Sequence, residues 1–445
     1  MTKHFLVAAT LAILLLVGCG APSAAPSATP AAPTARPTPT PANVHSVEHQ
    51  LIFDAAWQTV NDKYFDPTFG AKDWQAIGDE YRQKLATIQD EETFWLQVLN
   101  PMLFELGVSH LFALPAEMAG EIDTLTFATG SLGMDVRLLD GVIVITRVAA
   151  ESPAAKAGLR PGLVITAVDG KTPSEYAAEG LDLPPYNERR RRARAADSLL
   201  SKLYGEPGTE VVIDYLDARD QPRRATMELA PRDGLSCGEM EQDMPPVCAE
   251  LQMERLASGF AYLRFSGFLG PVLDGVLQAI GDVHDAPALV IDLRGNPGGE
   301  FFVRKAIASH LVGQPKAFVR YQHRTRTEMA YLDEVPNAYP GQVVILVDEL
   351  SASASEEFAG SLQALGRATI IGTQTQGSCL VMNVEFLPGD AILIYPYKQS
   401  QRPGGRIFEG NGVVPDIEVV LERDLLLQGK DSQLDAALAF LDQEQ

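Results

Sequence analysis

Apolar residues between positions 45 and 108 recur at three- and four-residue steps. Phe53, Trp57, Val60 and Tyr64 form one such series, and Trp74, Ile77, Tyr81 and Leu85 form another. That period predicts amphipathic helices. Pro101 falls in a third apolar stretch, near a predicted helix start. The expected unit is a small helical domain over 45–116, with Ser109-His110 at the end of its helices.

From 128 to 230 the pattern shortens. Val142 to Ile145 is a dense β-branched run, and Val164 to Val168 follows the turn-forming Arg160-Pro161-Gly162. Between them Ser152-Pro153-Ala154-Ala155-Lys156-Ala157-Gly158 carries an N-cap serine, a proline at the first helical position and a closing glycine, which predicts a short helix. Arg189 to Arg192, within an insertion over 172–200, reads as a solvated helix face without a function. From 253 to 445, strands (260–263, 288–293, 343–347, 369–371) alternate with helices near 272–283, 300–312, 354–365 and 432–442. This alternation indicates an α/β layered core.

The N-terminus belongs to none of these units. Phe5 to Val17 is an apolar run too short to span a bilayer and of signal-peptide length. It ends in Leu16-Val17-Gly18-Cys19, which resembles a bacterial lipobox, so 1–19 is expected to be a lipoprotein signal with Cys19 as the lipidated residue. An ordinary secretory signal with an incidental cysteine is the alternative. Residues 20–44, almost all Ala, Pro, Ser and Thr at first, read as an extended linker. The expected location is the cell envelope, outside the cytoplasm, held to a membrane by lipid.

Composition narrows the function. A net charge of -22 speaks against nucleic acid as a partner, because phosphate contacts need a basic surface. The seven scattered histidines and four cysteines show no metal-ligand spacing, so neither a metal nor another cofactor is expected. Cys237 and Cys248 are close enough to pair in an oxidising compartment, although two free thiols remain an alternative.

Two segments carry candidate chemistry. The strand ending at Val347 leads through Asp348 into Ser351-Ala352-Ser353-Ala354-Ser355-Glu356 and a helix, exposing a hydroxyl where free amides and the helix dipole favour negative charge. The strand over 288–293 leads into Gly295-Asn296-Pro297-Gly298-Gly299, where glycines let backbone N–H groups approach a ligand.

Together these segments resemble the tail-specific (C-terminal processing) proteases and their Tricorn-core-like relatives, whose catalytic core is a crotonase-like (ClpP/crotonase) α/β fold. Gly130-Ser131-Leu132-Gly133-Met134 and the stretch from Ser152 to Lys171 resemble an inserted, β-rich PDZ domain. By that resemblance Ser131, Leu132, Gly133 and Met134 are expected to bind a peptide terminus. The family pattern implies Ser353 as nucleophile, with Ala354 and the Gly298-Gly299 pair at the oxyanion hole. One departure stands out. Where the processing branch has a catalytic lysine, this chain has Ser378. The Tricorn-core branch instead uses an adjacent Ser-His pair and a glutamate, which match Ser109-His110 and Glu409. His110 is therefore the expected base, since an imidazole can shuttle a proton near neutral pH. The resulting expectation is a lipid-anchored serine endopeptidase acting on protein or peptide substrates. The alternative is a degenerate homologue that binds peptides without turnover.

Overall fold

The structure is a computed structural model. It describes residues 41–445 except 89, 117, 119–126, 180–188, 190–195, 239–246 and 444–445. The predicted signal, the lipidated Cys19, most of the linker and Arg190 to Arg192 lie outside the described residues.

The helical series fold as their spacing implies. α1 (Pro41–Lys63) buries Phe53, Trp57 and Val60, with Tyr64 buried just past its end, and α2 (Trp74–Leu85) buries Trp74, Tyr81 and Leu85, with Ile77 half-buried. α1 starts four residues inside the stretch read as linker, with Pro41 in the first turn, where its missing N–H removes no helical bond. Pro101 sits in the first turn of the helix Asn100–Phe104, near a helix start as its position predicts. Glu91–Thr93 runs into a π-helical turn over Phe94–Leu99 and then into Asn100–Phe104, so the proline sits just after a widened turn.

The unit is not closed on itself. Its core includes Leu380, Leu387, Leu393 and Tyr395, which come from the hairpin of β18 (Leu380–Phe386) and β19 (Ile392–Gln401). β1 (Phe112–Leu114), immediately after Ser109-His110, pairs antiparallel with β19. The N-terminal unit thus shares both a core and a sheet with the C-terminal part of the chain.

The middle region is β-rich. β3 (Met134–Leu139), β4 (Val142–Val148), β5 (Val164–Val168), β7 (Glu210–Leu216) and β8 (Pro222–Glu228) form one sheet with β3 at an edge. β2 (Gly130–Ser131), β6 (Tyr204–Gly205) and β9 (Ala230–Pro231) form a second, short sheet. The predicted helix is present at Pro153–Lys156, and the Ser152 side chain accepts from the Ala155 N–H.

The C-terminal core is a seven-stranded sheet in the order β10 (Leu235–Gly238), β11 (Val247–Arg255), β12 (Ala261–Phe265), β13 (Ala288–Asp292), β16 (Gln342–Val347), β17 (Thr369–Gly372), β20 (Ile417–Glu418). Strands β12 to β20 are parallel, while β10 and β11 add on antiparallel and extend the sheet back to Leu235, across the boundary expected at 253. The helices Leu273–Asp282, Phe301–Val312 and Ala354–Ala364 cover one face, and Ser432–Gln443 covers the other. Buried on both faces, β13 and β16 are continuous apolar runs, as parallel strands are. Cys237 and Cys248 face each other across β10 and β11 and are joined as a disulfide.

Candidate active site

Strand β16 delivers the chain to Asp348, a buried carboxylate that organises both loops at this end of the sheet. It accepts from the N–H groups of Gly295 (2.9 Å), Leu350 (3.0 Å) and Ser351 (3.1 Å). The Ser351 hydroxyl reaches across to the Leu293 carbonyl at 2.7 Å. The loops after β13 and β16 are thereby fixed to each other before Ser353 is reached.

Ser353 precedes the helix Ala354–Ala364 at φ +53°, ψ −115°, a conformation that non-glycine residues rarely adopt. Three contacts hold it there. Its N–H lies 2.9 Å from the Ser378 carbonyl and 3.0 Å from Glu356 Oε2, and its carbonyl accepts from the Cys379 thiol at 3.3 Å.

The glycine loop lies directly against it. A Cβ on Gly298 would stand 2.8 Å from Ser353 Cβ and 2.7 Å from the Ala354 nitrogen, at φ +110°. Only glycine permits that approach. The two glycines are not equivalent, however. The Gly298 N–H donates to Asn296 Oδ1 at 2.9 Å, so it is already engaged. The N–H groups of Gly299 and Ala354 have no acceptor among the described residues. Asn296 also accepts the Ser355 hydroxyl and donates to the Phe265 carbonyl, setting the loop's shape.

Ser109, His110 and Glu409 come together as the resemblance implies. The Ser109 hydroxyl is 2.7 Å from His110 Nδ1 and donates to Glu409 Oε2 at 2.8 Å. Glu409 also accepts from the Ser109 N–H (2.9 Å) and the Cys379 N–H (2.8 Å). An ionised carboxylate only accepts, so the single hydroxyl proton goes to Glu409, and Ser109 Oγ accepts from His110 Nδ1–H. That assignment leaves Nε2 with the lone pair, the form a general base needs. His110 is itself at φ +57°, the second strained non-glycine residue in this cluster.

Ser378, where relatives of the processing branch have lysine, bonds through its backbone. Its carbonyl receives the Ser353 N–H and its own N–H donates to Glu356 Oε2. Cys379 beside it is buried, and desolvation pushes its thiol well above its ordinary range.

The expected peptide loop departs from an open cradle. The Leu132 N–H donates to the Leu203 carbonyl at 3.1 Å, and the Gly133 N–H donates to Ser131 Oγ at 3.2 Å. Ser131, Leu132 and Met134 are buried. Next to them β3 turns charged side chains onto the core. Asp135 meets Arg264 (2.7 Å) and Arg147 (2.8 Å), and Arg137 meets Asp348 (2.5 Å). The arginines hold the Asp135 carboxyl well below its usual range against the opposing effect of burial. Arg189 is not a solvated face either. It is half-buried and donates to the Gly410 carbonyl, next to Glu409.

Among the described residues no cluster of His, Cys, Asp and Glu is arranged to hold a metal, and no helix is long and apolar enough to cross a membrane. Sequence reasoning did not find Asn296, Asp348 or Glu356. Each acts through backbone amides brought together by the fold.

Comparison with known proteins bears on the family and the fold. The profile of peptidase family S41 matches residues 259–419, that of the Tricorn protease C1 domain residues 46–103, and that of the PDZ domain residues 144–178. A carboxyl-terminal-processing protease of Synechocystis sp. is 27% identical, covering 88% of this chain and 87% of its own. A chloroplastic C-terminal processing peptidase of Tetradesmus obliquus is 29% identical, over 84% and 79%. Among solved structures, a photosystem II D1 C-terminal processing protease superposes with a TM-score of 0.57 at 21% identity, covering 86% of this chain and 98% of that one. Mature CPAF complexed with lactacystin superposes equally well, with a TM-score of 0.57 at 15% identity, over 89% and 98%. At these identities the superpositions speak for the fold.

Proposed function

The chain belongs to peptidase family S41, with Tricorn C1 and PDZ regions, and is a serine peptidase of the C-terminal processing kind; from that premise we propose that it cleaves proteins through an acyl-enzyme on Ser353, with His110 as base. The observation that carries this reading is the chain Glu409–Ser109–His110, whose glutamate accepts from the Cys379 N–H next to the Ser378 carbonyl that receives the N–H of strained Ser353. Neutral His110 takes the Ser353 proton through Nε2 as the hydroxyl oxygen attacks the scissile carbonyl. The resulting imidazolium keeps its Nδ1–H on Ser109, whose own proton rests on Glu409. The oxyanion is received by the Ala354 and Gly299 N–H groups. His110 then returns its proton to the leaving amine, and water releases the acyl group by the same route. The PDZ region presents a substrate terminus or extended segment.

The proposal extends to location: an exported protein held by lipid on Cys19. The paired Cys237 and Cys248 support it, since such bonds persist in oxidising compartments. Cys19→Ser is expected to release the protein from the membrane fraction.

Detergent-solubilised full-length protein is expected to hydrolyse casein, and Ser353→Ala to abolish it. Peptide binding without turnover in the parent would replace this reading with that of a degenerate binding protein.

A further inference from the structure

Glu356 ends the serine motif and opens a helix, where a glutamate ordinarily sits in water and answers the helix dipole. Here it is fully buried. Its two oxygens receive four donors. Oε1 accepts from Thr375 Oγ1 (2.6 Å) and the Gly377 N–H (2.7 Å), and Oε2 accepts from the N–H groups of Ser353 (3.0 Å) and Ser378 (3.0 Å). A Cβ on Gly412 would stand 3.2 Å from Oε1, so the 408–413 loop also closes on it. The next amide, that of Cys379, is taken by Glu409. Three successive N–H groups, 377 to 379, are thus divided between two carboxylates. One of these holds Ser353 and the other holds Ser109.

We propose that Glu356 is a positioning residue of the hydrolytic site, which fastens strained Ser353 to the Gly377–Cys379 segment and so registers it against the Ser109–His110 pair. This rests on the reading of Ser353 and His110 given above. The segment that carries a lysine in the processing branch contributes here through its backbone, as a splint between the two halves of the site. Ionised Glu356 fits four donors. A protonated carboxyl turns a hydrogen toward one of them and breaks the clamp. Around Glu356 stand Glu409 from the 408–413 loop, the Cys379 thiol from the splint, and Glu357 from its own helix, itself paired with Arg304. Burial pushes the Glu356 carboxyl up to about 7, so the clamp titrates near neutral pH.

The test compares parent, Glu356→Gln and Ser353→Ala as full-length protein on casein and on a fluorogenic peptide cut from it. The glutamine keeps the shape but aims an amide at two N–H groups. Its kcat is expected to fall about 10- to 100-fold, the cost of a nucleophile displaced by an ångström or less, with KM within about twofold of the parent. The acid limb of log(kcat/KM) should approach slope two in the parent, where both His110 and Glu356 must lose a proton, and slope one in Glu356→Gln. A role in folding alone would lower the active fraction and leave the slope unchanged. Equal slopes, or an unchanged kcat, would overturn the proposal. Should Glu356→Gln fail to fold, Thr375→Val removes one donor to the ionised form and must move the upper acid midpoint to higher pH; a midpoint that stays put would overturn it equally. Activity persisting in Ser353→Ala would instead show that the reading of the site had failed.

Discussion

Ser109→Ala isolates the link between Glu409 and His110. It removes a hydroxyl that accepts from Nδ1 at 2.7 Å and donates to Glu409 at 2.8 Å, while the Ser109 N–H keeps its bond to Glu409. In the resting site this link joins a neutral ring to a carboxylate. As Ser353 is deprotonated the ring becomes a cation, and the bond becomes charge-assisted. Hydrogen bonds to charged groups contribute about 1.5–3 kcal/mol, so kcat should fall roughly 10- to 150-fold with little change in KM. Glu409→Gln is expected to be at least as severe. Among the described contacts the carboxylate accepts twice on Oε2 and once on Oε1. An amide in its place opposes an N–H to one of them and withdraws the negative charge facing the imidazolium. His110→Ala removes the base itself and should cost about 100- to 10,000-fold. The assay is initial-rate hydrolysis of labelled casein, with kcat and KM separated on the derived peptide. The predicted order is His110→Ala, then Glu409→Gln, then Ser109→Ala. The reasoning fails if His110→Ala stays within a few-fold of the parent, or if Ser109→Ala is the most severe of the three.

Arg137→Met leaves the Asp348 carboxylate buried without its guanidinium, and breaking such a pair costs about 3–5 kcal/mol; urea unfolding should show it, and a loss below 1 kcal/mol would mean that the pair is solvated. Gly298→Ala places a Cβ 2.8 Å from Ser353 Cβ at φ +110°, so turnover should fall by about 100-fold or more while far-UV circular dichroism is retained. Glu356 also makes stability depend on pH. With its carboxyl raised from 4.5 to about 7, the folded state holds a proton that the unfolded chain releases between those values. Its stabilising contribution is full below pH 4.5 and lost by about pH 7, a change of about 3 kcal/mol. The stability of the parent relative to Glu356→Gln should therefore rise as the pH is lowered from 8 to 4.5, and a fall would contradict the burial argument.

The features legible in the sequence were those written locally. The apolar steps of α1 and α2, the Ser152 cap and the runs of β13 and β16 each lie within one stretch of chain, and so does the small-residue turn around Ser353. Ser109, His110 and Glu409 were reachable because their neighbours resemble known segments. What joins them is a hydrogen bond spanning 300 residues, which no local pattern reports. Asn296 stands in the glycine loop without a local signal of its own, yet its side chain holds the Gly298 amide and so leaves Gly299 as the free donor. The boundaries of the helical unit were misleading for the same reason. Its core is completed by Leu387, Leu393 and Tyr395, which lie far along the chain. Arg189 belongs with these, since its partner is the carbonyl beside Glu409.

On the proposed reading, serine at 378 and the Ser-His pair belong together. With serine at 378 and the segment's N–H groups held by Glu356 and Glu409, this segment supplies fixed backbone and no side-chain base. On the proposed reading the base comes from the N-terminal unit, through His110, which lies just before β1, itself paired with β19. The nucleophile is thus held from three directions. Arg137 of β3 bears on Asp348 and the loop before Ser353, Glu356 fixes Ser353 itself, and Glu409 ties the Ser109–His110 pair to the residue after Ser378. Each region supplies a charged or hydrogen-bonded contact that the others need, which is why the PDZ-like and helical regions share cores and ion pairs with the protease sheet instead of hanging from it as independent beads.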